Sequence, residues 1–194
     1  SDLMEVSGSA DPFALRRHAM GVVAILMGGY DADLAELLKL PLELAAEVVP
    51  NPAPDRESKM LQFLMSRVEG ALLERGFSVE VTRAALGGAE KRVARLPKMA
   101  EALTALIGTS KLADVVTGWR RTSVLAKGAD GAVKVSESLL AEEPEKALYA
   151  VFMESAPKMM ALYESEDYAG YLDAAAKMRA PIDRCLDEVL INAP

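Results

Sequence analysis

The sequence predicts an all-α chain, a helical bundle, on three observations. Ala, Leu, Glu, Lys and Met dominate its 194 residues, and these are good helix formers. Sustained alternation of Val, Ile and Thr is missing, whereas apolar residues recur at spacings of three and four. Pro and Gly fall where such apolar runs begin and end. A chain of this size buries roughly 70% of its extended surface, so a core forms without disulfide or metal staples.

The elements follow in order. Asp11 and Pro12 open a first helix, with Asp11 as cap and Pro12 at the first helical position, and Gly28-Gly29 closes it. Leu15, Ala19, Val22 and Leu26 share one face and Phe13, Met20 and Met27 another, so two-sided packing is expected. Asp33 begins a short helix through Leu40 that Pro41 breaks, with "LELAAEVV" continuing as another. "PNPAP" over 50–54 is the clearest linker. Helix resumes near Ser58 and stops at Gly76; Ser78 caps a short helix that Gly87-Gly88 ends.

In "AEKRVARLPKMAEALTALIG", Val93, Leu96, Ala100, Leu103 and Ile107 fall on one face, with Lys91, Arg95 and Lys98 opposite. Pro97 is expected to kink or divide this helix. In "SKLADVVTGWRRTSVLAKG", Leu112, Val115, Trp119 and Ser123 are expected to face inward, flanked by Arg120 and Lys127. A long helix opened by Pro144 follows, bent before Pro157, and two helices end the chain, the last opened by Pro181.

Charge is uneven. The net charge of −7 argues against general nucleic-acid affinity. Yet 56–127 holds thirteen Lys or Arg against seven Asp or Glu, while 142–194 holds five against eleven. A basic middle suits an acidic partner, and equally suits charges that merely solvate helix faces. One cysteine, Cys185, excludes an intrachain disulfide and points to a cytoplasmic location. No apolar run approaches the roughly 18 residues of a membrane span, and the sequence shows no signal peptide. The start at Ser1 suggests a piece of something longer.

Catalytic equipment is sparse. The sole histidine, His18, has no second histidine to share a metal or general-base role, so a packed or surface position is expected. Cys185 lies among Leu186, Val189 and Leu190 and reads as a small buried apolar residue. Phosphate-loop and dinucleotide fingerprints are missing. The cations remain. Lys91, Arg95 and Lys98 form a linear basic face with Arg92 at its edge, and Arg67, Arg120, Arg121 and Lys127 extend it if the helices lie side by side. Such groups contact phosphates and confer salt dependence rather than base choice. The aromatic residues near them, Phe63, Phe77 and Trp119, read as core.

Several stretches resemble one family. "SGSADPFALRRHAMGVVAIL" resembles "TGS-DPFALRRAA-GI-RIL" of the β subunit of bacterial two-subunit glycyl-tRNA synthetase, with residues 11–17 matching throughout. "LQFLMSRVEGALLERGFSVEVTRAAL", "GWRRTSVLAKG", "EEPEKALYAVF" and "APIDRCLDEVLINAP" resemble later stretches of that family, in family order over nearly the whole chain. The family's Asn after "KRV" has only Ser123 as a near counterpart, and its Phe-Phe near the end is Cys185-Leu186 here.

The resemblance implies the C-terminal region of a longer β subunit. It implies a helical linker segment at 1–54 and an anticodon-binding-like domain at 55–194, of the all-helical type shared with the class Ia arginyl enzyme. It further implies a noncatalytic fragment with no cofactor of its own, ATP being used on the α subunit. The implied partners are tRNA(Gly), the α subunit and the rest of the β subunit, in the cytoplasm, with no membrane. The alternative is a helical protein–protein docking module without RNA affinity. Arg16 and Arg17 point about 100° apart on a helix. Pairing with carboxylates of their own fold is preferred for them over contact with tRNA or a neighbouring domain.

Overall fold

A computed structural model describes residues 11, 14–48, 53–88, 90–127 and 135–190. Nine α-helices and two 3-10 turns account for most of them, with one isolated bridge, Asp33 to Arg92, and no named strand. The chain divides into two compact units, Ser1–Thr104 and Ala105–Pro194. The 54/55 boundary expected from the proline-rich stretch lies inside the first unit. Residues 50–52 of that stretch lie outside the described ones.

In the first unit, α1 (Leu15–Met27) and α2 (Leu34–Val48) both pack on α3 (Arg56–Glu74), which also meets α4 (Val79–Leu86). The core joins Val23 and Leu26 of α1, Leu34 of α2, and Val68 and Leu72 of α3. Each such side chain contributes roughly 1.5–3 kcal/mol on burial. Helix α1 begins at Leu15; Pro12, expected at the first helical position, and Phe13 lie outside the described residues. The N-cap is Ala14 rather than Asp11, though Asp11 Oδ1 accepts from the Arg16 N–H in the first turn at 3.4 Å. Arg17 approaches the same carboxylate at 3.8 Å, the structural role expected for it. Burial is one-sided: Ala19, Val23, Leu26 and Met27 are inside, while Met20, Val22 and Ile25 are exposed.

Pro41 does not break its helix; α2 runs through it. Asp33 Oδ1 accepts from Ala35 and Glu36 N–H groups and starts the helix as expected. Leu34, Leu38 and Leu42 pack into the core from both sides of Pro41, and an Arg56 guanidinium donates to the Leu42 carbonyl at 2.7 Å. Those contacts hold the two halves in line and offset the roughly 3 kcal/mol that an interior proline costs. Helix α3 stops where Gly76 takes φ 91°, a left-handed position that glycine adopts without strain. Helix α4 matches its expected limits, with Ser78 Oγ accepting from the Val81 N–H.

The segment after α4 departs most from expectation. Leu34 N–H donates to the Lys91 carbonyl and Arg92 bridges Asp33, so the chain is extended there rather than helical. A 3-10 turn, Val93–Arg95, leads into α5 (Leu96–Leu106). Pro97 sits in the first turn of α5, where its missing N–H costs nothing, and so marks a start rather than a kink. Val93, Leu96 and Ala100 are fully buried, but Ile107 is exposed.

The second unit contains α6 (Ser110–Leu125), the 3-10 turn Glu137–Leu139, α7 (Glu143–Glu164), α8 (Tyr168–Lys177) and α9 (Arg179–Glu188). Helices α8 and α9 pack against both α6 and α7. Pro144 falls in the first turn of α7, where Glu142 and Glu145 form a capping box, and α7 continues through Pro157. Tyr163 meets Tyr168 and Tyr171 edge-on at the α7–α8 junction. Cys185 is buried, as expected, and burial pushes its thiol pKa up.

Candidate nucleic-acid interface

Five of the eight expected site residues lie in the first unit. Arg67 stands on α3, half-buried, with its guanidinium 5.4 Å from the centre of the Phe63 ring and bonded to Ser66 Oγ. It borders a cleft of about 350 Å3 between α1 and α3, floored by Val23, Met27 and Ala71 and rimmed by Arg75 and Glu74. Lys91 and Arg92 lie half-buried in the extended segment, the Arg92 N–H donating to Glu90 Oε1 at 2.7 Å. Lys98 is exposed on the first turn of α5.

Arg95 corrects the expectation. It is 6% exposed, with its guanidinium 3.5 Å from Asp31 and 3.8 Å from the buried carboxylate of Glu90. The reason is local: the helical spacing that aligned Lys91, Arg95 and Lys98 does not exist before Leu96. The 3-10 turn rotates Arg95 inward, where it ties the connection between α1 and α2 to the segment leading into α5.

Of the other three, Arg120 and Arg121 lie on α6 and Lys127 just beyond its end, and the structure separates them. Arg121 turns toward α9 and binds Asp183 and Asp187. Asp183 also accepts from Arg179, which holds its carboxyl below the usual aspartate range, with Arg121 adding to the effect. Those carboxylates, Asp187 first, raise the Arg121 pKa further. Arg121 is thus a clamp between helices. Arg120 is exposed on another side of α6, and Lys127 is exposed just beyond its end.

Trp119 also departs from expectation. It is 68% exposed, and the inward position belongs to Gly118, which packs against Ile182 and the Arg179 backbone. Lys111, bound to Asp173 of α8, faces the same way as Gly118. Ion pairs thus line the inner face of α6, and a hydrophobic-inside rule orients this helix wrongly by about one residue. The signal was present in the sequence as several carboxylates in 173–187, ready to take cations from another helix.

What remains at the surface is a set of cations, Lys98, Arg120 and Lys127, suited to phosphate oxygens. Among the described residues no group of three or more His, Cys, Asp or Glu side chains is placed to hold a metal ion. No helix among them is long and apolar enough to cross a membrane.

The class is therefore an all-α module whose charged groups are displayed on helix surfaces. The chain is similar along nearly its whole length to glycyl-tRNA synthetase beta subunits. The family profile described as "Glycyl-tRNA synthetase beta subunit" matches residues 3–87. The glycine–tRNA ligase beta subunit of Acidovorax sp. (strain JS42) is 32% identical over 188 residues, 96% of this chain. Those of Paracidovorax citrulli and Dechloromonas aromatica are each 33% identical, again over 96% of this chain. The chain spans 26% of the length of each of these three relatives.

Proposed function

We propose that this chain is a noncatalytic, tRNA-binding part of a glycyl-tRNA synthetase beta subunit, acting as an anticodon-binding helical domain. In this reading it supports glycylation of tRNA(Gly) by the complete enzyme in the cytoplasm. ATP and glycine are used on the α subunit, and the rest of the β subunit is a further partner. The observation that carries the reading is sequence identity of about one third to glycine–tRNA ligase beta subunits across 96% of the chain. The exposed cations Lys98, Arg120 and Lys127 agree with it.

The test is a titration with tRNA(Gly) and with a tRNA of altered anticodon, at several salt concentrations. Preferential, salt-sensitive binding of tRNA(Gly) is expected. The triple variant Lys98→Glu, Arg120→Glu, Lys127→Glu should bind more weakly. If each cation touches one phosphate, the salt slope should also fall by about 0.7–0.9 for each phosphate no longer neutralised. Unchanged affinity and slope in a folded variant would remove these residues from the interface.

A second reading, docking on another polypeptide, draws on exposed apolar residues of the first unit. Ile25 on α1 and Leu37, Leu40 and Leu44 on α2 all face solvent. It predicts weak, salt-insensitive RNA binding.

A further inference from the structure

Trp119 is the only tryptophan in the sequence, and it stands 68% exposed on α6. Along α6, which ends at Leu125, positions 112, 116, 119, 120 and 123 fall within about 100° of arc. They are Leu112, Val116, Trp119, Arg120 and Ser123, a stripe with no carboxylate in a protein of net charge −7, and Lys127 lies exposed two residues beyond the end of the helix. The acidic side chains of α8 and α9 engage the opposite face of α6, through Lys111 and Arg121. Among the described residues, Arg120 and Lys127 form no ion pair.

An exposed indole with cations after it in the chain that form no ion pair among the described residues has the two elements that single-stranded nucleic acid needs: a flat π surface for a base and positive charge for the adjoining phosphates. An apolar protein partner would use the indole but leave both cations without a match. We infer that the outer stripe of α6 is a stacking platform for an unpaired nucleobase, with Trp119 taking the base and Arg120 and Lys127 the adjoining phosphates. The inference rests on the tRNA-binding reading above and adds to it the residue that grips a base of the single-stranded loop.

Because Trp119 is alone, its emission reports on this site without ambiguity. The chain is titrated with a seven-nucleotide single-stranded RNA and with tRNA(Gly), following tryptophan fluorescence and, in parallel, the anisotropy of labelled RNA. Saturable quenching is expected at low salt. Trp119→Ala should weaken binding by roughly 5- to 100-fold, the range for loss of one stacked base. Trp119→Phe should recover most of it. Arg120→Ala with Lys127→Ala should flatten the salt dependence while leaving quenching at saturation. Helical circular dichroism confirms that each variant is folded.

Three results overturn the inference. RNA binding with unchanged Trp119 emission, and Trp119→Ala binding like the parent, removes the platform but leaves the tRNA-binding reading standing. No binding of either RNA removes both. An emission change on adding the remaining part of the β subunit, with none from RNA, makes the stripe a protein interface.

Discussion

Arg95 shows how one side chain changes role when its backbone is known. A guanidinium at 6% exposure beside the buried Glu90 carboxylate ties segments together rather than meeting solvent or ligand. Removing one partner of a buried pair leaves the other charge uncompensated, which costs about 3–5 kcal/mol. Arg95→Ala should therefore lower stability by about 3 kcal/mol, read from the urea midpoint. Lys98→Ala, three residues on and exposed, should change stability by less than about 0.5 kcal/mol. Equal effects from the two would contradict the burial of Arg95. Trp119 is the reverse case: a residue type usually buried stands outside, because Gly118 beside it allows α6 to approach α9.

Two glycines in the helices of the second unit should answer oppositely to the same substitution. A Cβ on Gly118 would lie 3.7 Å from Ile182 Cδ1 and 4.0 Å from the Arg179 Cα, ordinary packing distances. Gly118→Ala should then stabilise by about 0.5–1 kcal/mol, since alanine loses less backbone freedom on entering a helix. A Cβ on Gly170 would lie 2.5 Å from Asp167 Oδ2 and 3.0 Å from Leu162. Asp167 caps α8 by accepting from the Gly170 N–H at 2.9 Å. Displacing that cap costs about 1 kcal/mol, so Gly170→Ala should lower the thermal midpoint where Gly118→Ala raises it. Proline shows the same dependence on place: Pro97 and Pro144 mark helix starts, while Pro41 and Pro157 are carried inside α2 and α7.

The molecule as a whole carries more carboxylates than cations, and its acid response follows from where they are paired. Asp183 and Glu154 both titrate below their ordinary ranges, Asp183 chiefly through Arg179 and Glu154 through Lys158. In each case the unfolded chain takes up the proton at higher pH than the folded one. The stabilisation is therefore complete above about pH 5 and falls as pH drops through about 4 and below. Denaturant midpoints measured from pH 6 to pH 3 should decline, and Asp183→Asn should start lower at pH 6 and decline less. A parallel decline in parent and variant would show that the α6–α9 clamp contributes nothing to acid sensitivity.

Composition and spacing alone determined the all-helical class, the limits of α4, the start of α2 at Asp33, the stop of α3 at Gly76 and the burial of Cys185. These depend on caps, glycine conformations and local apolar runs, which are written within a few residues of where they act. Ordered resemblance along the chain likewise pointed to the beta subunit family before any fold was known. The tertiary structure decided the rest. It placed Arg95 inside, carried α2 through Pro41, turned Arg121 toward Asp183 and Asp187, and left Trp119 in solvent. Each of these depends on a partner far away in sequence: Asp31 for Arg95, the α3 core for α2, and α9 for the face of α6. Helical periodicity can define a face, but only the packed neighbours determine whether that face is closed by apolar contact, bound by opposite charge, or left open.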